Sequence, residues 1–179
     1  RGDMPPAVYC IVGKKKSGKT TTTVGLIREL VSRGHLVGSA KHGHHFELDH
    51  EGKDSYRHRH EGGAVATVLS GPEGVAVTGK WPSGEQPLAE LVSQHLSHVH
   101  IVVAEGYKSS KYARFEVFRS TVHAAALYGT DDTEQGEYLA MLTDVPDFTI
   151  AVPVIDVDDP QRFVLMADLV EAHLGGQDT

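Results

Sequence analysis

Eight consecutive residues, Gly13-Lys14-Lys15-Lys16-Ser17-Gly18-Lys19-Thr20, follow the pattern G-x-x-x-x-G-K-[ST]. Each fixed position has a task if the ligand is a chain of phosphates. The glycines let the backbone turn successive N–H groups inward, forming a nest around an anion. A helix starting at the end of the loop adds unpaired donors and the positive end of its dipole. The Lys19 ammonium neutralises charge between the β- and γ-phosphates, and the Thr20 hydroxyl is placed to ligate Mg²⁺. Thr20, Thr21, Thr22 and Thr23 are weak helix formers, so propensity does not account for this first turn. Lys14, Lys15 and Lys16 read as a solvated charge run, or as cations reaching a phosphate of their own chain or of a second copy.

A phosphate loop that works with Mg²⁺ needs an acidic residue at the end of another strand. Glu105 closes the apolar run His100–Ala104 and meets that need, with a side chain long enough to act through water. Asp49, in the polar loop after the second expected strand, is the other candidate, whereas Asp54 reads as a helix cap. Lys19, Asp49 and Glu105 are thus the expected catalytic groups, and Thr20, Glu105 and Asp49 the expected metal ligands. No glutamine is placed to orient water and no arginine finger is evident, which predicts slow hydrolysis. Arg114, Arg119 and Arg162 are scattered, which weighs against the arginine-rich lid of a small-molecule kinase.

The chain contains no asparagine. That excludes the Asn-Lys-x-Asp reader of guanine, yet the same chemistry still requires an acceptor pair near the carboxyl end of a late strand. Asp144, in Thr143-Asp144-Val145-Pro146, is the expected base reader; initiating the bend before Pro146 is its alternative role. Histidine is concentrated too, with six of 12 falling between His42 and His60. His42, His44, His45 and His50 could hold zinc or nickel in a metal-delivery protein. A polar loop facing substrate or phosphate explains them as well, since H-x-H-H is an unspecific spacing.

These groups must be held by something. Ala7–Val12 reads as a buried strand before the loop, and Lys19 to Arg33 as a helix with Val24, Ile27, Leu30 and Val31 at helical spacing. Leu36–Ala40 reads as a strand, and Asp54 to about Glu61 as a helix. Ala64–Leu69 and Gly74–Trp81 flank Ser70-Gly71-Pro72-Glu73 as an extra hairpin. A helix is expected from Pro87. Strands are expected at His100–Ala104, Arg114–Arg119, Leu139–Leu142 and Phe148–Val154, and a last helix over Pro160 to Leu174. Alternating buried strands and helices imply an α/β fold: a P-loop NTPase three-layer sandwich, its mostly parallel sheet covered on both faces. No linker divides the chain, so residues 4–179 are expected to form a single domain. An uncovered hairpin edge predicts pairing with a second copy, hence a homodimer.

Composition sets outer bounds. The chain has 179 residues and a formal net charge of −7, which argues against binding nucleic acid through bulk charge. Residues 1–61 nevertheless carry 11 Lys/Arg against 7 Asp/Glu, a net of +4, consistent with a local anion site. Cys10 is the single cysteine, so neither an internal disulfide nor a multi-Cys metal site is expected. No apolar stretch approaches the ~18 residues of a membrane span. Arg1-Gly2-Asp3 reads as an appended start before a native Met4, with no signal peptide, and the expected location is cytoplasmic.

Five strings, taken in order, carry a resemblance: Gly13–Thr21 (GKKKSGKTT), Lys41–Tyr56 (KHGHHFELDHEGKDSY), Ala104–Lys108 (AEGYK), Glu116–Arg119 (EVFR) and Thr143–Pro146 (TDVP). Together they resemble the MobB family, the adaptor proteins of molybdopterin-guanine dinucleotide biosynthesis. The likeness runs from the first strand to about residue 155, and its second string is the most family-specific. It implies a homodimeric P-loop protein that binds GTP with Mg²⁺ and hydrolyses it weakly. It also implies assistance to the guanylyltransferase MobA, which attaches GMP to molybdopterin, and leaves open contact with a molybdopterin-bearing species. Carried over, the phosphate site is Gly13, Lys14, Lys15, Lys16, Ser17, Gly18, Lys19, Thr20 and Thr21. Lys41 to Asp54 is the following loop, and Glu105 stands at the acidic strand end. The triple lysine departs from the family, whose members vary there.

Overall fold

The computed structural model describes residues 4–44, 49–130 and 136–177. Six strands form one sheet: β1 (Ala7–Val12), β2 (Val37–Lys41), β5 (Ile101–Glu105), β6 (Ala113–Phe118), β7 (Tyr138–Thr143) and β8 (Val154–Asp156). Their order is β2-β5-β1-β6-β7-β8, and every neighbouring pair is parallel. All six carboxyl ends therefore lie along one edge of the sheet. A parallel sheet needs both faces covered, and the side-chain alternation of β1 shows how. Tyr9 and Ile11 point to one face, where they meet Leu26 and Leu30 of α1 (Lys19–Ser32) and Met166 and Val170 of α4 (Arg162–Gln177). Val8, Cys10 and Val12 point to the other and meet Leu88 and Val92 of α3 (Leu88–His95). The expected three-layer α/β architecture is thus present.

Under β6 and β7 that second face is closed by loops instead. Phe118, Ala126 and Met141 pack there with Val145, Phe148 and Ile150. This corrects one expectation: 148–153 is irregular chain, and the last strand is only Val154–Asp156. Pro146 and Pro153 each lack a ladder donor, and Phe148 and Ile150 partly bury their side chains outside any strand ladder, the Phe148 amide donating to the Val145 carbonyl instead. The apolar pattern that suggested a strand records this packing.

By its contacts the chain divides into two compact units, 1–42 with 88–179, and 43–87. The second contains α2 (Asp54–His60) and the antiparallel hairpin of β3 (Ala66–Gly71) and β4 (Gly74–Gly79), in register from Ala66↔Gly79 to Gly71↔Gly74. Val68, Val75 and Val77 are on one face of this ribbon and largely exposed.

Close packing between α1 and α4 rests on one glycine. A Cβ on Gly25 would stand 2.2 Å from Cζ of Phe163, so only glycine lets the Phe163 ring lie against α1. At the far end of α1, Arg33 bonds Glu29, Asp168 and Glu171 and ties the two helices together.

Candidate functional site: a glycine-built loop closed by Glu105

β1 delivers the chain directly into Gly13, where a Cβ would stand 2.6 Å from the Val117 carbonyl oxygen and 2.7 Å from Ser17 Oγ. The loop therefore hugs the end of β6, and a side chain at that position would fill its interior. Gly18 precedes α1 at φ 102, and Lys16 also has positive φ, at 63. Alternation of left- and right-handed residues is what turns successive N–H groups toward one point. α1 begins at Lys19 with no side-chain cap, leaving its first amides available to an anion. Ser17 Oγ is fully buried and without a hydrogen-bond partner among the described residues. A buried hydroxyl in a cradle of this kind fits a phosphate oxygen.

Lys19 is the cation of the loop. Its ammonium donates to the carbonyl oxygens of Gly13 at 2.7 Å and Lys14 at 2.9 Å, lying across the cradle. Burial pulls it below the usual lysine value, Glu105 opposes that shift and Lys41 adds to it. Lys14 is half-buried, while Lys15 and Lys16 are exposed.

Thr20 and Glu105, expected to share a metal, are brought together. Thr20 Oγ1 donates to Glu105 Oε1 at 2.6 Å, and Glu105 is only 8% exposed. A hydroxyl and a carboxylate oxygen at the mouth of a phosphate nest are the hard donors that suit Mg²⁺, so this pair fits that ion. Strand pairing explains the meeting: Ile11 is in register with Glu105, so β5 ends beside the start of the loop.

Lys41, absent from the expected ligand set, also reaches this point. It ends β2 in register with Glu105, and its Nζ is 3.4 Å from Glu105 Oε1. Its place at the head of the most family-specific string was the available signal. Arg119 was likewise missed as a neighbour of the loop. It follows β6, bonds Asp158 at 3.0 Å, and its Nε lies 3.8 Å from where a Gly18 Cβ would be. His123 donates from Nε2 to the Lys15 carbonyl at 2.6 Å, pinning the loop from outside. Arg114 has a different duty. It is fully buried and donates to the carbonyls of Lys108, Ser110 and Tyr112, so it organises the segment just after Glu105.

Asp144 stands at the end of β7. Its Oδ1 accepts from Ser120 N at 2.7 Å and its Oδ2 from Thr121 N at 3.4 Å. The Ser120 amide, foremost, holds this carboxyl below the usual aspartate value. Asp144 thus braces the turn after Arg119. Glu116 does similar work on the buried side. It accepts from the amides of Leu127 and Tyr128 and from the Tyr138 hydroxyl, while burial raises its pKa.

Asp49 belongs to the smaller unit, where it accepts from Ser55 Oγ at 2.9 Å and from His50 N at 3.1 Å. These bonds steady the approach to α2. His45 lies outside the described residues. Among the described residues no group of three His, Cys, Asp or Glu side chains could hold a metal ion.

A shallow groove of about 410 Å³ starts at Thr20 and Thr21 and runs along α1 past Val24, Gly25 and Arg28, with Arg162 and Phe163 of α4 as its other wall. It is continuous with the phosphate loop and large enough for a nucleoside-sized group.

Residues 8–144 match the model of a protein family described as molybdopterin guanine dinucleotide synthesis protein B, MobB. The molybdopterin-guanine dinucleotide biosynthesis adapter protein of Escherichia coli is 29% identical over 157 residues, covering 86% of this chain and 85% of that one. The protein of the same name from Haemophilus influenzae is 31% identical over 168 residues, covering 92% and 87%. Among solved structures, the MobB homologue of Bacillus stearothermophilus aligns with a TM-score of 0.67 at 23% identity, over 92% of this chain and 98% of that one. MobB of Bacillus subtilis aligns with a TM-score of 0.67 at 22% identity, over 93% and 98%. These two likenesses concern the fold.

Proposed function

The chain belongs to the molybdopterin guanine dinucleotide synthesis protein B family, and from that premise we propose that it is a GTP-binding adaptor in the assembly of molybdopterin guanine dinucleotide, with slow Mg²⁺-dependent hydrolysis. The observation that carries the nucleotide reading is the Thr20–Glu105 contact at the mouth of a glycine-built loop spanned by Lys19. In this reading the amides after Gly13 and the start of α1 hold the β-phosphate, and Lys19 leaves its two carbonyls for the β- and γ-oxygens. Thr20 and Glu105 hold Mg²⁺, whose charge offsets that of the phosphates.

Asp144, held as an ionised carboxylate at the end of β7 by the Ser120 and Thr121 amides, is the proposed guanine reader. Slow hydrolysis follows from the residues at hand. Arg119 is engaged by Asp158, and the sequence carries no glutamine within ten residues of Glu105 along the chain. The chain is read as a homodimer whose partner enzyme is a MobA-type guanylyltransferase.

Calorimetry with GTP and Mg²⁺, followed by capture on the purified guanylyltransferase of the same pathway, tests this. Saturable GTP binding together with retention of that enzyme is the expected result. Absence of nucleotide binding would remove the reading at its base, and nucleotide binding without retention would remove the adaptor role.

A further inference from the structure

We propose that Lys41 is a second cation of the phosphate site, placed to take the terminal phosphate of a bound nucleoside triphosphate and so to distinguish it from a diphosphate. This rests on the nucleotide reading given above. The geometry starts from the sheet. β2 and β5 run parallel and end together, with Lys41 in register with Glu105. All carboxyl ends share an edge, and β2 lies beyond β5 on the side away from β6 and β7. Counting across that edge, the positions are Lys41, Glu105, then the loop after β1. Thr20 and Glu105 would hold a divalent cation on the β5 side of the loop, and a terminal phosphate served by that cation would lie within reach of the end of β2.

The end of β2 is held firmly enough to aim the side chain. His42 N donates to the Glu105 carbonyl at 3.0 Å, and its ring meets Tyr107 at 5.3 Å. Gly106, at φ 92, is what permits this approach; a Cβ there would stand 3.3 Å from His42 Cβ. The head of Lys41 is by contrast free to move, with its side chain 65% exposed. The 3.4 Å contact is long and its lysine head is exposed, and a divalent cation on Glu105 would take over the buried carboxylate, whereas an ammonium–phosphate hydrogen bond in a partly desolvated nest is a strong one.

Charge points the same way. Lys41 stands close enough to Lys19 to lower its pKa, and Glu105, which acts on Lys19 in the opposite sense, is 3.4 Å from the Lys41 ammonium. Two ammonium groups around one carboxylate leave a positive point that an anion relieves. A divalent cation on Thr20 and Glu105 would neutralise that carboxylate and leave the Lys41 ammonium for the phosphate.

The test is calorimetry with GTP, GDP and inorganic tripolyphosphate, each with Mg²⁺, on the full chain and on Lys41→Met and Lys41→Arg. Lys41→Met keeps the apolar stem and removes the charge at an exposed head, and thermal melts confirm folding. The expected result is a loss of about tenfold or more for GTP and tripolyphosphate, under twofold for GDP, with most of the loss restored in Lys41→Arg. Equal loss for GTP and GDP, no loss, or tighter GTP binding overturns the role. If the unaltered chain binds neither nucleotide nor tripolyphosphate, the underlying nucleotide reading fails instead, and this inference with it.

Discussion

Thr20 and Glu105, 85 residues apart in the chain, are joined by a 2.6 Å hydrogen bond from the threonine hydroxyl to the carboxylate. One belongs to the first turn of the helix after the phosphate loop, the other to the end of the neighbouring strand. If that carboxylate holds Mg²⁺, Glu105→Gln should weaken Mg²⁺-dependent GTP binding more than GDP binding, because the ion bridges the β- and γ-oxygens. Calorimetry with and without Mg²⁺ checks this. Identical effects on both nucleotides in both conditions would make Glu105 a partner of Thr20 and nothing more.

Lys19→Ala should fold normally, since its ammonium bonds only loop carbonyls and stands clear of the apolar clusters. Losing a charge-assisted phosphate contact should cost ~2–4 kcal/mol, or about 30- to 1000-fold in GTP affinity. Unchanged affinity would sink the assignment of the loop.

Asp144 has two separable roles to measure. As guanine reader it should give GTP at least ~10-fold preference over ATP, with ITP weaker than GTP and XTP weakest, because a mismatched base leaves the carboxylate without its donors. Asp144→Ala should erase that order and spare tripolyphosphate affinity. Equal binding of GTP and XTP by the unaltered chain would leave Asp144 only its bracing role.

The bracing role of Asp144 has a pH signature. Its folded pKa lies below the ordinary 3.8, so the unfolded chain binds the proton more tightly. The stability it contributes is complete above the unfolded value and is lost as pH falls through the folded one. Asp144→Asn should therefore flatten the acid limb of a stability–pH profile below about pH 4. An unaltered limb would show that Ser120 and Thr121 do not favour the ionised form.

Gly25→Ala should destabilise the protein although alanine is the better helix former by about 1 kcal/mol. The added methyl meets the Phe163 ring, and forcing α1 and α4 apart should cost roughly 1–3 kcal/mol. Chemical denaturation of Gly25→Ala, alone and with Phe163→Leu, measures this. A more stable single variant would show that the contact is not tight.

Oligomeric state follows from the hairpin. Its exposed face carries Val68, Val75 and Val77, a patch that a second copy could cover. Light scattering at micromolar concentration should give twice 19.4 kDa. The monomer mass would exclude the homodimer.

The turn from β1 through Gly13 and Gly18 into α1 was legible in the linear chain because its information is local. A buried strand, two glycines, a lysine and a helix start must follow one another directly for the nest to form, so the eight residues declare themselves. Glu105 was legible for the same reason, as the acid closing an apolar run. The alternation of β1 and the spacing of α1 and α3 likewise announced a covered parallel sheet. Other features depended on distance in space. Lys41 reaches Glu105 only because β2 and β5, far apart in sequence, pair in one register, and register is set by side-chain packing across the sheet. Phe148 and Ile150 look like strand residues because burial imposes the pattern, yet a loop lid buries them equally well once prolines deny the ladder its donors. Asp144 shows the same division: its place after a strand is written in the chain, but the two amides that hold its carboxylate come from a turn that only the tertiary fold brings there.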